Sequence, residues 1–207
     1  MYIFSRTRSA DPAHLMDAVA FAMDIAQHVT KVTGVNVAAW SAVYGAPIGS
    51  LSWTCRAESL AALAAMNEQM LADAEFVEKT QASNDLFAGP LEDAVIEVLH
   101  TTGDIAPGNY TSIITAQCAP GHVGEAMAWA VEAQEASTKI TGFAGGVASP
   151  VYGVFGGVGW MTPLQTIEDV EAANQAFKDP ELGKLIDGAG SLFVTGGTHS
   201  RLIRRLA

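Results

Sequence analysis

Residues 2–9 alternate along a β-prone run from Tyr2 through Phe4 and Arg6, the period of a strand. Apolar residues then recur at Leu15, Val19, Ala22, Met23, Ala26 and Val29. Steps of three and four predict an amphipathic helix over 12–33. Its ends are marked. Asp11 is a capping residue followed by Pro12 at the first helical position, Lys31 lies in the last turn, and Gly34 falls where a left-handed cap is wanted. The Val-rich and aromatic stretch 35–44 reads as a second strand. Gly45-Ala46-Pro47 turns the chain into a third strand, 48–55, and so short a connection makes the two an antiparallel hairpin. A helix over 59–71, a shorter one from Asp73 and a strand over 92–100 complete the order βαββαβ.

The pattern then repeats. Residues 2–34 lie over 110–142 at a constant offset of 108, with 11 identities in 33 positions. The helix end Thr30-Lys31-Val32-Thr33-Gly34 returns as Thr138-Lys139-Ile140-Thr141-Gly142, and Val43-Tyr44-Gly45 returns as Val151-Tyr152-Gly153. The register slips by one so that Trp53 meets Trp160 and Asn67 meets Asn174, and slips again so that Leu86-Phe87 meets Leu192-Phe193. Thr166 and Asp179-Pro180 open the helices of the second copy. The expected organisation is a first repeat over 1–100, a linker over 101–108 with turn chemistry at Thr101-Thr102-Gly103-Asp104 and Pro107-Gly108, and a second repeat over 109–207.

A βαββαβ unit is the ferredoxin-like arrangement, an antiparallel sheet with helices on one face. The other face needs cover. Both faces of the second strand are apolar, with Val35, Val37, Ala39 and Val43 on one side and Trp40, Ala42 and Tyr44 on the other. Two such sheets can cover each other. The fold class expected is therefore α+β: two ferredoxin-like βαββαβ repeats with their antiparallel sheets packed together.

Composition narrows the partners. Apolar residues make up 49% of the 207-residue chain and charged residues 16%, enough for a buried core. The formal net charge of -11 disfavours nucleic acid and anionic membrane. No apolar stretch is long enough to span a bilayer, and no secretory signal is seen, so a cytoplasmic protein is expected. Cys55 and Cys118 occupy non-equivalent places in the two repeats, which predicts reduced core thiols.

The paired βαββαβ units resemble the dimeric α/β-barrel superfamily. So do Asp179-Pro180-Glu181-Leu182 with Leu192-Phe193, and their counterparts Asp73-Ala74-Glu75-Phe76 with Leu86-Phe87. The resemblance covers nearly the whole chain and implies a covalent pseudo-dimer that pairs further as a homo-oligomer. Members include cofactor-independent monooxygenases of aromatic polyketides or quinols, haem-degrading enzymes, small isomerases and cyclases, and stress-responsive proteins. What it implies here is a small-molecule-binding barrel protein, a monooxygenase or isomerase acting on an aromatic or polyketide-like compound. The alternative is a non-catalytic stress-responsive or assembly module.

Each candidate side chain has a functional and a structural reading. Tyr44 and Tyr152 can orient a carbonyl or phenolic ligand, or pack before a hairpin glycine. Trp53 and Trp160 can wall a pocket for a flat ligand, or pack between sheet and helix. Trp40 shares a face with Tyr44 and has Ala148 as its counterpart; Arg6 aligns with Ile114. Arg6 can hold an anionic ligand or pair with Glu97. The ligand-binding set expected is thus Arg6, Trp40, Tyr44, Trp53, Tyr152 and Trp160, facing a small apolar or aromatic ligand. Asn67 and Asn174 either bond a loop or orient that ligand. His14 and His122 sit at helix starts, as capping groups or as bases. His28 would be the axial ligand in a haem reading, although no cofactor is expected. No metal is expected either, since no His or carboxylate spacing matches a metal motif. The run Phe155-Gly156-Gly157-Val158-Gly159 lacks the Lys and Ser/Thr of a phosphate loop and reads as strand.

Overall fold

A computed structural model describes residues 1–207. The chain divides into two compact units, Met1–Ile96 with Arg204–Ala207, and Glu97–Ile203. In the first unit the elements are β1 (Tyr2–Ala10), α1 (Leu15–Thr33), β2 (Val37–Tyr44), β3 (Ser50–Ala57), α2 (Leu60–Ala72), α3 (Ala74–Ala82) and the start of β4 (Phe87–Thr101). The second holds the end of β4, then β5 (Tyr110–Gln117), α4 (Val123–Thr141), β6 (Gly146–Pro150), β7 (Gly157–Leu164), α5 (Ile167–Gln175), α6 (Pro180–Gly188) and most of β8 (His199–Arg205). In the first unit β1 and β2 each pair with β3, and in the second β5 and β6 each pair with β7, all antiparallel. The ferredoxin-like α+β expectation is met in both repeats. No helix is long and apolar enough to cross a membrane.

The helix ends follow the sequence signals. Asp11 accepts a bond from the Ala13 amide and opens a short 3-10 turn, Pro12–His14, that runs into α1. Gly34 and Gly142 are left-handed at φ 73° and 75°, and their amides close onto the carbonyls of Thr30 and Thr138. Ser59 caps α2, Asp73 caps α3, Asp179 caps α6, and Thr166 with Asp169 forms a reciprocal capping box on α5.

Three strand expectations are corrected. β4 begins five residues earlier than its apolar run, because Gly89 takes φ 80° and lets the chain stay paired past Pro90. In the second repeat the matching stretch is broken: Phe193 makes only an isolated bridge to Cys118, a turn at Val194–Gly197 intervenes, and β8 starts at His199. Phe155 and Gly156 also precede β7 rather than lie inside it.

Each unit packs its helices on one sheet face. In the first, Ala18, Ala22 and Ala26 of α1 lie against Ala39, Leu51 and Trp53. In the second, Ala126 and Ala130 of α4 lie against Ala116, Val147 and Val158. The alanine stripe brings helix and sheet close together, and the larger side chains fill the margins.

Candidate functional site

The second unit contains a cavity of about 390 Å³ between β5 and β7 on one side and α4, α5 and α6 on the other. Strand alternation supplies its sheet wall. Ser112, Ile114 and Ala116 share one face of β5, and the register Ser112↔Thr162 and Ile114↔Trp160 sets Thr162 and Trp160 beside them. Helical spacing supplies the opposite wall, with Trp129, Ala133, Ser137 and Thr141 four apart along α4 and Gln134 beside them. Asn174, Phe177 and Ile186 stand at the exposed mouth with the turn at Val194–Gly197.

Trp129, Trp160 and Phe193 pack edge to face, with centroids 6.0, 5.3 and 6.1 Å apart. The Trp129 indole donates to the Leu185 carbonyl at 3.1 Å, and that of Trp160 donates to the Ala130 carbonyl at 2.9 Å. With both N–H groups engaged inside the protein, the rings meet the cavity as hydrocarbon. Polar character comes from hydroxyls and two carboxamides, Gln134 and Asn174. Ser112, Thr162 and Asn174 make no side-chain hydrogen bond within the protein. No lining residue is ionisable. A cavity of this kind favours an uncharged ligand, because a charge entering it would lose water and meet no counter-ion.

The first unit carries bulkier side chains at the corresponding positions. Phe4, Arg6 and Arg8 stand where Ser112, Ile114 and Ala116 stand, and Ile25 and Val29 where Ala133 and Ser137 stand. The aromatic triad is retained as Phe21, Trp53 and Phe87, with centroids 6.3, 5.8 and 6.2 Å apart. The Arg8 guanidinium lies 4.1 Å above the Phe87 ring. Desolvation, and secondarily the charge of Arg6, lower the Arg8 pKa, and its Nε is buried without a partner.

The structure distributes the expected residues as follows. Trp160 lines the cavity. Trp53 is buried, cross-strand from Arg6, and donates to the Ala22 carbonyl at 2.9 Å, the bond that Trp160 makes to Ala130. Arg6 holds Asp93 through two bonds of 2.8 Å, and this partner, not Glu97, raises its pKa. Trp40 is buried on the sheet face away from Trp53 and donates to Thr54 at 2.8 Å. Tyr44 and Tyr152 are 70% and 68% exposed at the ends of the hairpins. His28 is buried, with Nε2 2.8 Å from Asp73 and Nδ1 3.5 Å from Glu75. His122 lies 2.9 Å from Glu125 at the start of α4. Cys55 and Cys118 are free and buried.

Sequence reasoning missed Trp129, Gln134, Ser112, Ser137 and Thr162. The available signal was loss of side-chain volume between repeats at positions sharing a face, as from Phe4 to Ser112 and from Val29 to Ser137.

No protein-family model matches the sequence, and neither does any curated protein sequence. Solved structures do match in shape. A candidate monooxygenase from Fusobacterium nucleatum superposes with TM-score 0.74 at 9% identity, over 100% of this chain and 92% of that one. A second candidate monooxygenase, from Lactobacillus acidophilus, gives 0.70 at 9% identity, over 100% and 94%. An anthrone oxidase-like protein gives 0.67 at 16% identity, over 99% and 90%. The chain thus has the dimeric α/β-barrel fold, here in a single-chain, pseudo-dimeric form.

Proposed function

We propose that the second unit binds an uncharged, flat aromatic or polyketide-like molecule and that the protein is a monooxygenase acting on it without an added cofactor. The observation that carries this reading is the cavity walled by Trp129, Trp160 and Phe193 and free of ionisable side chains. The names of the similar structures support the reaction class. With no ionisable side chain in the lining, the substrate proton leaves to solvent at the exposed mouth. A ring methylene conjugated to a carbonyl through fused arenes, as in anthrone, loses a proton to solvent through the open mouth, and the Asn174 amide donates to the resulting enolate oxygen. The carbanion supplies the electrons to O2. One O2 converts the CH2 to C=O and releases one H2O, so substrate is the only reductant and each oxygen atom is accounted for. Reprotonation at another carbon would instead give an isomerase.

Anthrone tests the proposal. Oxygen uptake and anthraquinone formation in a one-to-one ratio, above the uncatalysed rate and lost in Ser112→Phe, are expected. Product without oxygen uptake would favour the isomerase. No acceleration of either would sink the enzyme reading.

A second reading, a homo-oligomeric assembly module located in the cytoplasm, is favoured by the apolar hairpin tips. Ile48 is 91% exposed in one repeat and Phe155 89% in the other. Light scattering on the protein and on Ile48→Asp and Phe155→Asp tests it. A monomeric wild type would remove the oligomer.

A further inference from the structure

Gln134 is the one polar side chain of the cavity wall that is almost wholly buried, at 3% exposure. Its counterpart in the first repeat is Ala26. Helix α4 gains nothing obvious from a carboxamide facing inward, so what holds it is informative. Its Nε2 donates to the Thr138 hydroxyl at 3.2 Å. The Thr138 and Thr102 hydroxyls lie 2.8 Å apart, and Thr102 Oγ1 also accepts the Gly145 amide at 2.9 Å and faces the Gly145 carbonyl at 3.2 Å. Each hydroxyl has a single proton. When Thr102 donates to Gly145 and Thr138 donates to Thr102, Thr138 accepts from Gln134. In this arrangement Nε2 lies toward Thr138 and Oε1 away from it.

The amide is also held in its plane. A methyl group at Gly145 would stand 2.3 Å from Nε2, 2.7 Å from Cδ and 2.8 Å from Oε1, so the carboxamide lies flat against bare backbone. Oε1 has no hydrogen-bond partner within the protein, yet it is not among the side-chain atoms sealed from the accessible surface. Gln134 is one of the residues that line the cavity.

We infer that Gln134 presents a fixed hydrogen-bond acceptor to the cavity and selects ligands that place a hydroxyl or N–H there over ligands with an apolar or acceptor group. Thr138 acts through Gln134 as a positioning residue. The inference rests on the cavity being the ligand site. It adds a direction to that reading: a phenol or hydroquinone edge binds at Gln134, while the carbonyl edge lies toward Asn174.

Isothermal titration with 2-naphthol and 2-methylnaphthalene tests it, because the pair exchanges a hydroxyl for a methyl of similar size. The wild type is expected to hold naphthol about three- to tenfold more tightly, the range of one neutral hydrogen bond. Gln134→Met should bring the ratio to one or below while methylnaphthalene still binds. Thr138→Val, which keeps the amide but frees it to turn, should lower the ratio part of the way. Equal binding of both probes to the wild type, a preference that survives in Gln134→Met, or one left undiminished in Thr138→Val, overturns the role of Gln134 and leaves the cavity reading in place. Binding of neither probe overturns both.

Discussion

Arg6 and Asp93 form a two-point ion pair, both bonds 2.8 Å, between β1 and β4, at the position that Ile114 takes beside the cavity. The pair marks how the two repeats diverged: one places charge and bulk under its helices, and the other has a cavity there. Its energetic worth is limited by exposure, 33% for the Arg6 side chain and 41% for Asp93. Arg6→Ile, which installs the residue of the second repeat, is expected to cost about 1 kcal/mol or less. Urea titrations at low and high salt check this, since the wild type should lose stability with salt and the variant should not.

Trp53 and Trp160 each donate to an alanine carbonyl one helix away, at the same 2.9 Å. The bond is scaffold in both repeats, yet only Trp160 faces the cavity. Trp53→Phe and Trp160→Phe should each lower stability by about 1–2 kcal/mol, from a lost hydrogen bond and a small void. Only Trp160→Phe should weaken binding of 2-naphthol. Equal losses of affinity would show that the triad acts as packing alone.

The scaffold was legible because its signals are local. Asp11, Gly34, Gly142, Asp73 and Asp179 cap helices by chemistry that involves a few neighbouring residues. The length of β4 was not legible, since Gly89-Pro90 reads as a break and only the bend at Gly89 keeps it paired. Of the site, Trp160 was readable as a duplicated tryptophan. Ser112, Ser137 and Gln134 were not, because a cavity is a deficit of volume summed over strands and helices that only the fold brings together. Exposed Tyr44 and Tyr152 show the converse: both copies retain the residue, at the end of β2 and just past β6, and neither lines the cavity.

Close backbone approach gives the sharpest stability prediction. A Cβ at Gly108 would stand 2.2 Å from the Leu164 carbonyl oxygen and 2.8 Å from its carbon. Neither side can yield without moving β7, so Gly108→Ala should destabilise by about 3 kcal/mol or more. At Gly145 the obstacle is the movable end of Gln134. Gly145→Ala should therefore cost less, about 1–2 kcal/mol, and should abolish the preference for 2-naphthol. Thermal denaturation and titration of the two variants separate the cases.

Burial pushes the Cys55 thiol up to about 11 from an ordinary value of 9.0. The raised value means that folding favours the protonated thiol. The associated stability is complete below pH 9.0 and is lost as pH rises through about 11. Wild type should accordingly lose stability between those limits relative to Cys55→Ser, measured as the difference in urea midpoint at pH 8 and pH 10.5. Alkylation by iodoacetamide at pH 8 should proceed only through opening of the fold, so its rate should follow denaturant rather than reagent access.

The repeat itself provides the control for the cavity. Ser112 occupies the place of Phe4, and the face around it already accommodates aromatic side chains in the first unit. Ser112→Phe fills space that is now empty, so it should leave the melting temperature unchanged or raise it. The same change should remove binding of 2-naphthol altogether. Most substitutions that abolish a ligand site also loosen the fold, which leaves their meaning open. Here the two readouts should move in opposite directions. A protein that melts higher and no longer binds would establish the cavity as the site, whereas retained binding would place the ligand elsewhere on the molecule.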